Sequence, residues 1–329
     1  MKSTVWLRNN FFSVGMIVFF MFLISACTPG NGPGPSKPNE ALTFIVDHDD
    51  NDTFEVWIMR TDGSIKVMLA DNPDAVADEY EGAVQQTMSP DGRTLVYVLQ
   101  GPRGQMVSKD LNTGVVTVLV DDTSASFDPT PSYSYDGTKI AYSMNHSSAA
   151  GDGIRVMNAD GTDIQVLTTL ANDTTPAFNR SGDLIVFDRG RNGDLYVINT
   201  DGSGLALVKA ATVDFTYGHP QFLPDGRIVC MRVTSGETGS KDIVIMDADG
   251  SNEINLTPGT DDTDEWSPTV NKAGDKIAFS TNRNGGTYDI YVGTLSGDAL
   301  TDLQNLTADV DYDCWRPRFG PVPSIDAPQ

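Results

Sequence analysis

The sequence predicts an all-β protein, a six-bladed β-propeller of four-stranded blades, and three observations carry that prediction. A short phrase recurs five times, as Met88-Ser-Pro-Asp-Gly92, Tyr133-Ser-Tyr-Asp-Gly137, Phe178-Asn-Arg-Ser-Gly182, Phe222-Leu-Pro-Asp-Gly226 and Val270-Asn-Lys-Ala-Gly274, with its glycines 45, 45, 44 and 48 residues apart. A second turn recurs between these, with six glycines at Gly63, Gly114, Gly161, Gly202, Gly250 and Gly297. Short β-rich runs flank the turns, and no useful helical periodicity competes with them. A period in the forties with about four strands per unit is the propeller pattern, in which each blade buries its faces against its neighbours.

Taken in chain order, residues 1–26 read as a secretory signal. Lys2 and Arg8 precede an apolar run from Phe11 to Ile24, and Ser25-Ala26 leads into Cys27. The run is shorter than the roughly 20 residues a permanent bilayer helix needs, which marks it for removal. Small residues before a cysteine resemble the bacterial lipobox, so Cys27 is expected to become the lipid-modified first residue of the mature chain. An ordinary signal peptide cut beside Ala26 is the alternative. The Pro- and Gly-rich stretch 27–41 has too few apolar side chains to repay the entropy of ordering, and reads as a tether. Thr28 rather than an aspartate follows the anchor, which by resemblance to lipoproteins of two-membrane bacteria implies sorting to the outer membrane.

The propeller itself is expected over 42–320, with 321–329 as a tail. Second strands are read at Thr94 to Val98, Lys139 to Ser143, Leu184 to Asp188, Arg227 to Met231 and Lys276 to Ser280. Third strands follow at Ile154 to Met157, Leu195 to Ile198, Ile243 to Met246 and Ile290 to Val292. Asp-Gly between β-branched runs is a hairpin signal, because glycine accepts the positive φ of a tight turn. The first repeat opens at Leu42-Thr-Phe-Ile-Val46, which matches a second strand, whereas Trp315-Arg-Pro-Arg-Phe319-Gly320 matches the start of a repeat with nothing after it. The C-terminal strand is therefore expected to complete the first blade and remove the exposed sheet edges.

The Pro-x-Phe/Trp-Ser-Pro-Asp-Gly phrase, a strand, an Ile-Tyr-Val-Met-like strand and Asp-Gly resemble the propeller repeats of the TolB family over residues 42–320. The resemblance implies the fold and is poor for function, since the same repeats occur in periplasmic binding proteins, peptidase propellers and polysaccharide lyases. TolB also carries an N-terminal domain of another fold, for which the residues before 42 leave no room, so the resemblance carries over for the propeller alone.

Removing residues 1–26 takes 22 basic residues to 20 against 45 acidic ones, a net charge of −25. Such a surface repels nucleic acid and anionic headgroups, and suits either solubility in salt or attraction of cations. Beyond Cys27 stand only Cys230 and Cys314, with no Cys-x-x-Cys pair, so one disulfide at most is open and no thiolate zinc site is indicated.

Propeller ligands are expected at the channel mouth, where loops from each outer strand reach the next inner strand. Here those loops carry Asp128, Asp173, Asp214, Asp264, Glu265 and Asp313. One carboxylate per blade near the rim would attract a cation or a basic peptide, whereas each acid alone could serve its own turn. His219, Trp266 and Trp315 lie beside the same loops and suit protein or sugar recognition or, equally, packing between blades. Asp47-His-Asp-Asp-Asn-Asp-Thr-Phe-Glu55 is reminiscent of a calcium loop but lacks its sixth-position glycine and aligns with an ordinary hairpin, 281–289. Calcium or another divalent cation is thus a minor option and no other cofactor is expected. Gly236-Glu-Thr-Gly-Ser-Lys241 lacks the spacing and the helix of a phosphate loop.

Three histidines, no Gly-x-Ser-x-Gly and no His-Glu-x-x-His leave few parts for catalysis. The sequence therefore favours a monomeric, lipid-anchored envelope module that binds a protein or peptide at the acidic channel face, with the membrane reached through the lipid alone. The alternative is a carbohydrate-active lyase or hydrolase using channel carboxylates, with or without a divalent cation.

Overall fold

The computed structural model describes residues 40–48, 53–70, 81–100, 104–122, 129–144, 152–170, 172–190, 193–235, 239–258 and 263–323. Among them are 24 strands and no helix. Strands β1 (Glu40–His48), β2 (Thr53–Arg60) and β3 (Val67–Ala70) open the chain. Blade 2 holds β4 (Glu81–Met88), β5 (Thr94–Gln100), β6 (Gly104–Asp110) and β7 (Val116–Asp122). Blade 3 holds β8 (Ser132–Tyr133), β9 (Lys139–Met144), β10 (Gly153–Asn158) and β11 (Gln165–Val166). Blade 4 holds β12 (Asp173–Phe178), β13 (Leu184–Arg189), β14 (Asp194–Asn199) and β15 (Ala206–Lys209). Blade 5 holds β16 (Phe215–Phe222), β17 (Ile228–Thr234), β18 (Lys241–Met246) and β19 (Ile254–Asn255). Blade 6 holds β20 (Glu265–Val270), β21 (Lys276–Thr281), β22 (Asp289–Ser296) and β23 (Ala299–Asn305).

The last strand, β24 (Asp313–Pro321), pairs antiparallel with β1, so blade 1 reads β24-β1-β2-β3 and the ring closes through both chain ends, as its half-repeats predict. A short parallel pairing of Thr53 and Phe54 with Glu81 and Gly82 links blades 1 and 2 into one sheet. The first strand begins at Glu40, slightly ahead of the expected boundary.

Successive side chains on a strand face opposite ways, and here both faces are buried. Leu95 and Tyr97 of β5 pack with Ala41, Val56 and Ile58 of blade 1, while Val96 and Val98 pack with Ile140, Tyr142 and Met157 of blade 3. Similar clusters join blades 3 and 4 around Phe187, 4 and 5 around Val186 and Ile228, 5 and 6 around Ile245 and Phe279, and 6 and 1 around Ile290 and Phe44. Continuous apolar runs such as Leu95-Val-Tyr-Val98 follow from that two-sided burial. Cys230 and Cys314 lie in different clusters as free thiols and do not pair. Burial pushes Cys314 up to about 12 and raises Cys230 as well, which leaves both unreactive at neutral pH.

The recurring turns close one face of the ring. In Ser89-Pro-Asp91-Gly92, the Ser89 hydroxyl and the Arg93 amide both donate to Asp91, at 2.6 and 3.0 Å, while Gly92 takes a φ of 71°. Ser134, Asp136 and Gly137 repeat the arrangement in blade 3. The opposite face carries the hairpins between second and third strands and the connections from each outer strand to the next blade. That is the mouth at which the sequence places the site.

Candidate functional site

Five of the six inner strands are kinked at one position near the channel. Gln85, Thr175, His219, Ser267 and Arg316 have φ values of 55, 49, 52, 49 and 52°, and each sits at a register shift between the first two strands of its blade. A left-handed residue other than glycine costs about 1–2 kcal/mol, so five of them must be held by their surroundings. Bonds from blade to blade supply that hold. The Thr175 amide donates to Thr130 Oγ1 at 3.0 Å, the Arg316 amide to Ser280 Oγ at 3.0 Å, and Gln86 Nε2 to the Arg316 carbonyl at 2.7 Å.

At the expected mouth, blades 5, 6 and 1 bring several of the predicted residues together. The Trp266 and Trp315 rings meet edge to face at 6.3 Å, His219 stands 6.0 Å from Trp266, and Tyr288 lies against Trp315 at 3.8 Å. Asp264 accepts from Lys241 Nζ at 2.5 Å and from the Tyr288 hydroxyl at 3.1 Å, while Lys241 lies 4.7 Å from the Trp266 ring centre. Asp313 accepts the Tyr288 amide at 2.5 Å. Burial, with Asp264 beside it, pushes the Tyr288 phenol up to about 12, so it remains a donor. The result is a half-buried aromatic cluster with a fixed ion pair at its edge.

The expected ring of open carboxylates takes a different form. Asp173 and Glu265 are fully buried, and each is bound to an arginine. Arg189 meets Asp173 through Nε at 2.7 Å and Nη2 at 3.0 Å; Arg283 Nη2 meets Glu265 at 3.0 Å, with Thr263 and Thr281 donating to the same oxygen. These acids cannot be bare contacts for a partner, because a carboxylate in a dry interior persists only when paired. Blade 5 puts Tyr217 in the equivalent place, bonded to Glu253, with Arg232 bridging Glu253 and Asp242. Asp214 stays exposed, next to Val213, which is 89% exposed. Asp128 lies outside the described residues, as do His146 and the middle of the calcium-like loop, residues 49–52. Among the described residues, no three His, Cys, Asp or Glu side chains gather to hold a metal ion.

His219 is buried with its Nδ1 3.3 Å from Ser267 Oγ, a pairing that superficially suits a nucleophile and its base. The surroundings oppose that use. Burial first, then Arg316 and Arg318, hold the imidazole well below its usual range, and a general base must become a cation. His219 is instead neutral, set between blades against Ser267 and Trp266. A proton that binds the unfolded imidazole but not the folded one makes stability rise with pH. Stability is therefore expected to fall by up to about 1.4 kcal/mol per pH unit below pH ~6.5. Asp91 and Asp136 add a second loss lower down. Hydrogen bonds from neighbouring hydroxyls hold them below 3.8, so their stabilisation is complete above that value and disappears as pH falls through the lower folded one. Urea titrations from pH 7 to pH 5 should lose this slope in His219→Asn, a residue that tolerates left-handed backbone; an unchanged slope would assign it to other groups.

A second space lies at the other end of the channel, toward the Asp-Gly turns. It encloses about 370 Å³ and takes lining residues from the inner strand of every blade, among them Tyr133, Phe178, Phe222 and Phe319. Arg318, Lys272 and Glu40 are its charged members. Sequence reasoning passed over this end, although Arg316 and Arg318 stand where other blades carry Thr175 and Ala177, or Ser267 and Thr269.

The profile of the TolB beta propeller domain matches residues 39–319. The chain belongs to the TolB β-propeller family. The Tol-Pal system protein TolB of Francisella tularensis is 25% identical over 276 residues, which are 80% of this chain and 60% of that protein. The chain thus spans about 60% of the length of that TolB relative. Crystalline TolB from Acinetobacter baumannii superposes with a TM-score of 0.68 at 16% identity, covering 88% of this chain and 68% of that one. An oligogalacturonate lyase in complex with manganese superposes with a TM-score of 0.53 at 16% identity, over 79% of this chain and 73% of that one, a likeness of fold alone. Membership in the TolB family agrees with the order of strands, the closure by β24 and the repeated Asp-Gly turns.

Proposed function

We propose that this chain is a lipid-anchored module of the bacterial envelope that holds a protein or peptide partner at the channel mouth of blades 5, 6 and 1. The observation that carries the reading is the cluster of Trp266, Trp315, Tyr288 and His219, with the Lys241–Asp264 pair at its edge. Large, rigid aromatic faces bind at low entropic cost, and a fixed ion pair gives them register. Family membership supports the setting, since the relatives are proteins of the Tol-Pal system. Cys27, at the end of the signal-like segment, supplies the anchor, and the stretch to residue 41 the reach; outer-membrane attachment follows from Thr28. The net negative charge turns nucleic acid away and leaves exposed acids such as Asp214 to steer a basic partner segment. The module acts as a monomer, with the inner edge of blade 1 completed by the chain's own last strand.

Crosslinking the lipidated protein in its own cells, followed by recovery of partners, tests the reading. A variant carrying Val213→Ser, Asp214→Asn and Tyr312→Ser alters exposed mouth positions and spares the buried pairs. One dominant partner retained by wild type and reduced at least tenfold in the folded variant is expected. Equal recovery from both would move the binding face elsewhere on the ring.

A further inference from the structure

The cavity at the Asp-Gly-turn end has a charge character opposite to that of the whole chain. With 45 acidic residues against 22 basic ones, an arginine without an acid is the unexpected case. Arg318 is that case: its Nη1 donates to the Pro317 carbonyl at 3.1 Å, and no carboxylate forms an ion pair with it among the described residues. A guanidinium has five N–H donors, so most of its capacity is unspent. Its backbone is fixed, because Arg318 pairs with Thr43 in the β1–β24 ladder. Lys272 stands exposed at the cavity's edge. Glu40, the acid among the lining residues, is already committed to Asn271 Nδ2 at 2.9 Å and Lys276 Nζ at 3.4 Å.

From this geometry we infer that the cavity binds a small organic carboxylate with an aromatic or branched apolar body, its charge on Arg318 and its body among Tyr133, Phe178, Phe222 and Phe319. The inference is independent of the partner site at the opposite mouth. Three physical arguments support it. A carboxylate accepts two parallel N–H bonds from a guanidinium, which gives direction as well as attraction. Folding has already stripped much of the water from Arg318: burial and then neighbouring Arg316 push it down to about 10, so it is still charged at neutral pH. An anion therefore gains the attraction without the arginine's share of the desolvation cost. A space of about 370 Å³ is also in the range of small-molecule sites, and its aromatic walls would leave an inorganic ion poorly filled. A metal cation would meet Arg318 and Lys272 as like charges.

The test uses the mature lipidated protein in a non-ionic detergent, with 3-phenylpropionate as the probe and 3-phenylpropanamide as its neutral counterpart. Calorimetry, with saturation-transfer NMR for weak binding, should show the carboxylate bound at least tenfold more tightly than the amide. Arg318→Gln is expected to weaken the carboxylate at least tenfold and leave the amide unchanged, and Phe222→Ala to weaken both. Should Arg318→Gln fail to fold, Arg318→Lys keeps the charge but loses the fork, and severalfold weaker binding of the carboxylate is expected. No binding at millimolar probe, equal affinity for acid and amide, or full affinity without the arginine would each overturn the assignment. The mouth variant Val213→Ser, Asp214→Asn, Tyr312→Ser should bind the probe as wild type does, which separates this site from the partner face.

Discussion

Ending the chain at Tyr312, before β24, is expected to abolish cooperative folding. The strand contributes the whole inner edge of blade 1, from Asp313 against Asp47 to Pro321 against Glu40. It brings Trp315 and Phe319 onto the core and covers Leu42, Phe44 and Val46, which lie in the same cluster as Cys314. One large apolar side chain contributes about 1.5–3 kcal/mol on burial, so losing the strand removes on the order of 10 kcal/mol. A whole domain is held by only ~5–15 kcal/mol. The truncated chain would also expose β1 as a long, unpaired edge, an invitation to aggregate. Circular dichroism, thermal melting and size exclusion should show an unfolded or associated product, while removal of 324–329 alone should change nothing. Adding residues 313–323 as a peptide should restore part of the melting transition. A truncated chain that melts as sharply as the full one would mean that blade 1 is dispensable and the ring is not closed through its ends.

Much of this architecture was legible in the residues because propellers write their period locally. Asp91-Gly92 and its counterparts mark turns through hydroxyl, backbone and glycine chemistry confined to a few positions. The half-repeat at Leu42 and the orphan phrase at Trp315 declared the closure for the same reason. The candidate site was legible only in part. Trp266, Trp315 and His219 were identified from loop position, and they do meet. The acids misled, since a sequence shows a carboxylate but not the arginine opposite it. Arg189 follows Asp173 by a strand and a turn and faces it only in the antiparallel register. A usable signal existed: an arginine stands near the end of the second strand or in its hairpin in blades 4, 5 and 6, at Arg189, Arg232 and Arg283, each over an aromatic ring. Arg318 was hidden differently. That no carboxylate among the described residues pairs with it is a property of the channel as a whole, which no local window displays.

Replacing Arg189 with methionine is expected to cost about 3–5 kcal/mol, because it strands a carboxylate whose side chain has no exposure at all. Arg189 is itself only 19% exposed and stacks 4.2 Å from the Tyr196 ring centre, so methionine keeps most of the packing while removing the fork. The comparison that isolates the pair is Asp173→Asn with Arg189→Gln, two neutral side chains able to bond to each other. Desolvation of the charges offsets much of their attraction, so the double variant should be milder than either single one. A coupling energy of roughly 1.5–3 kcal/mol from urea denaturation is the expected outcome. The counterpart at Glu265 and Arg283 should behave alike, since it occupies the same place in blade 6 with the same buried acid. Coupling near zero would make Asp173 equivalent to an exposed salt bridge, of about 0–1 kcal/mol, and would return it to the channel mouth as an acid free to meet a partner.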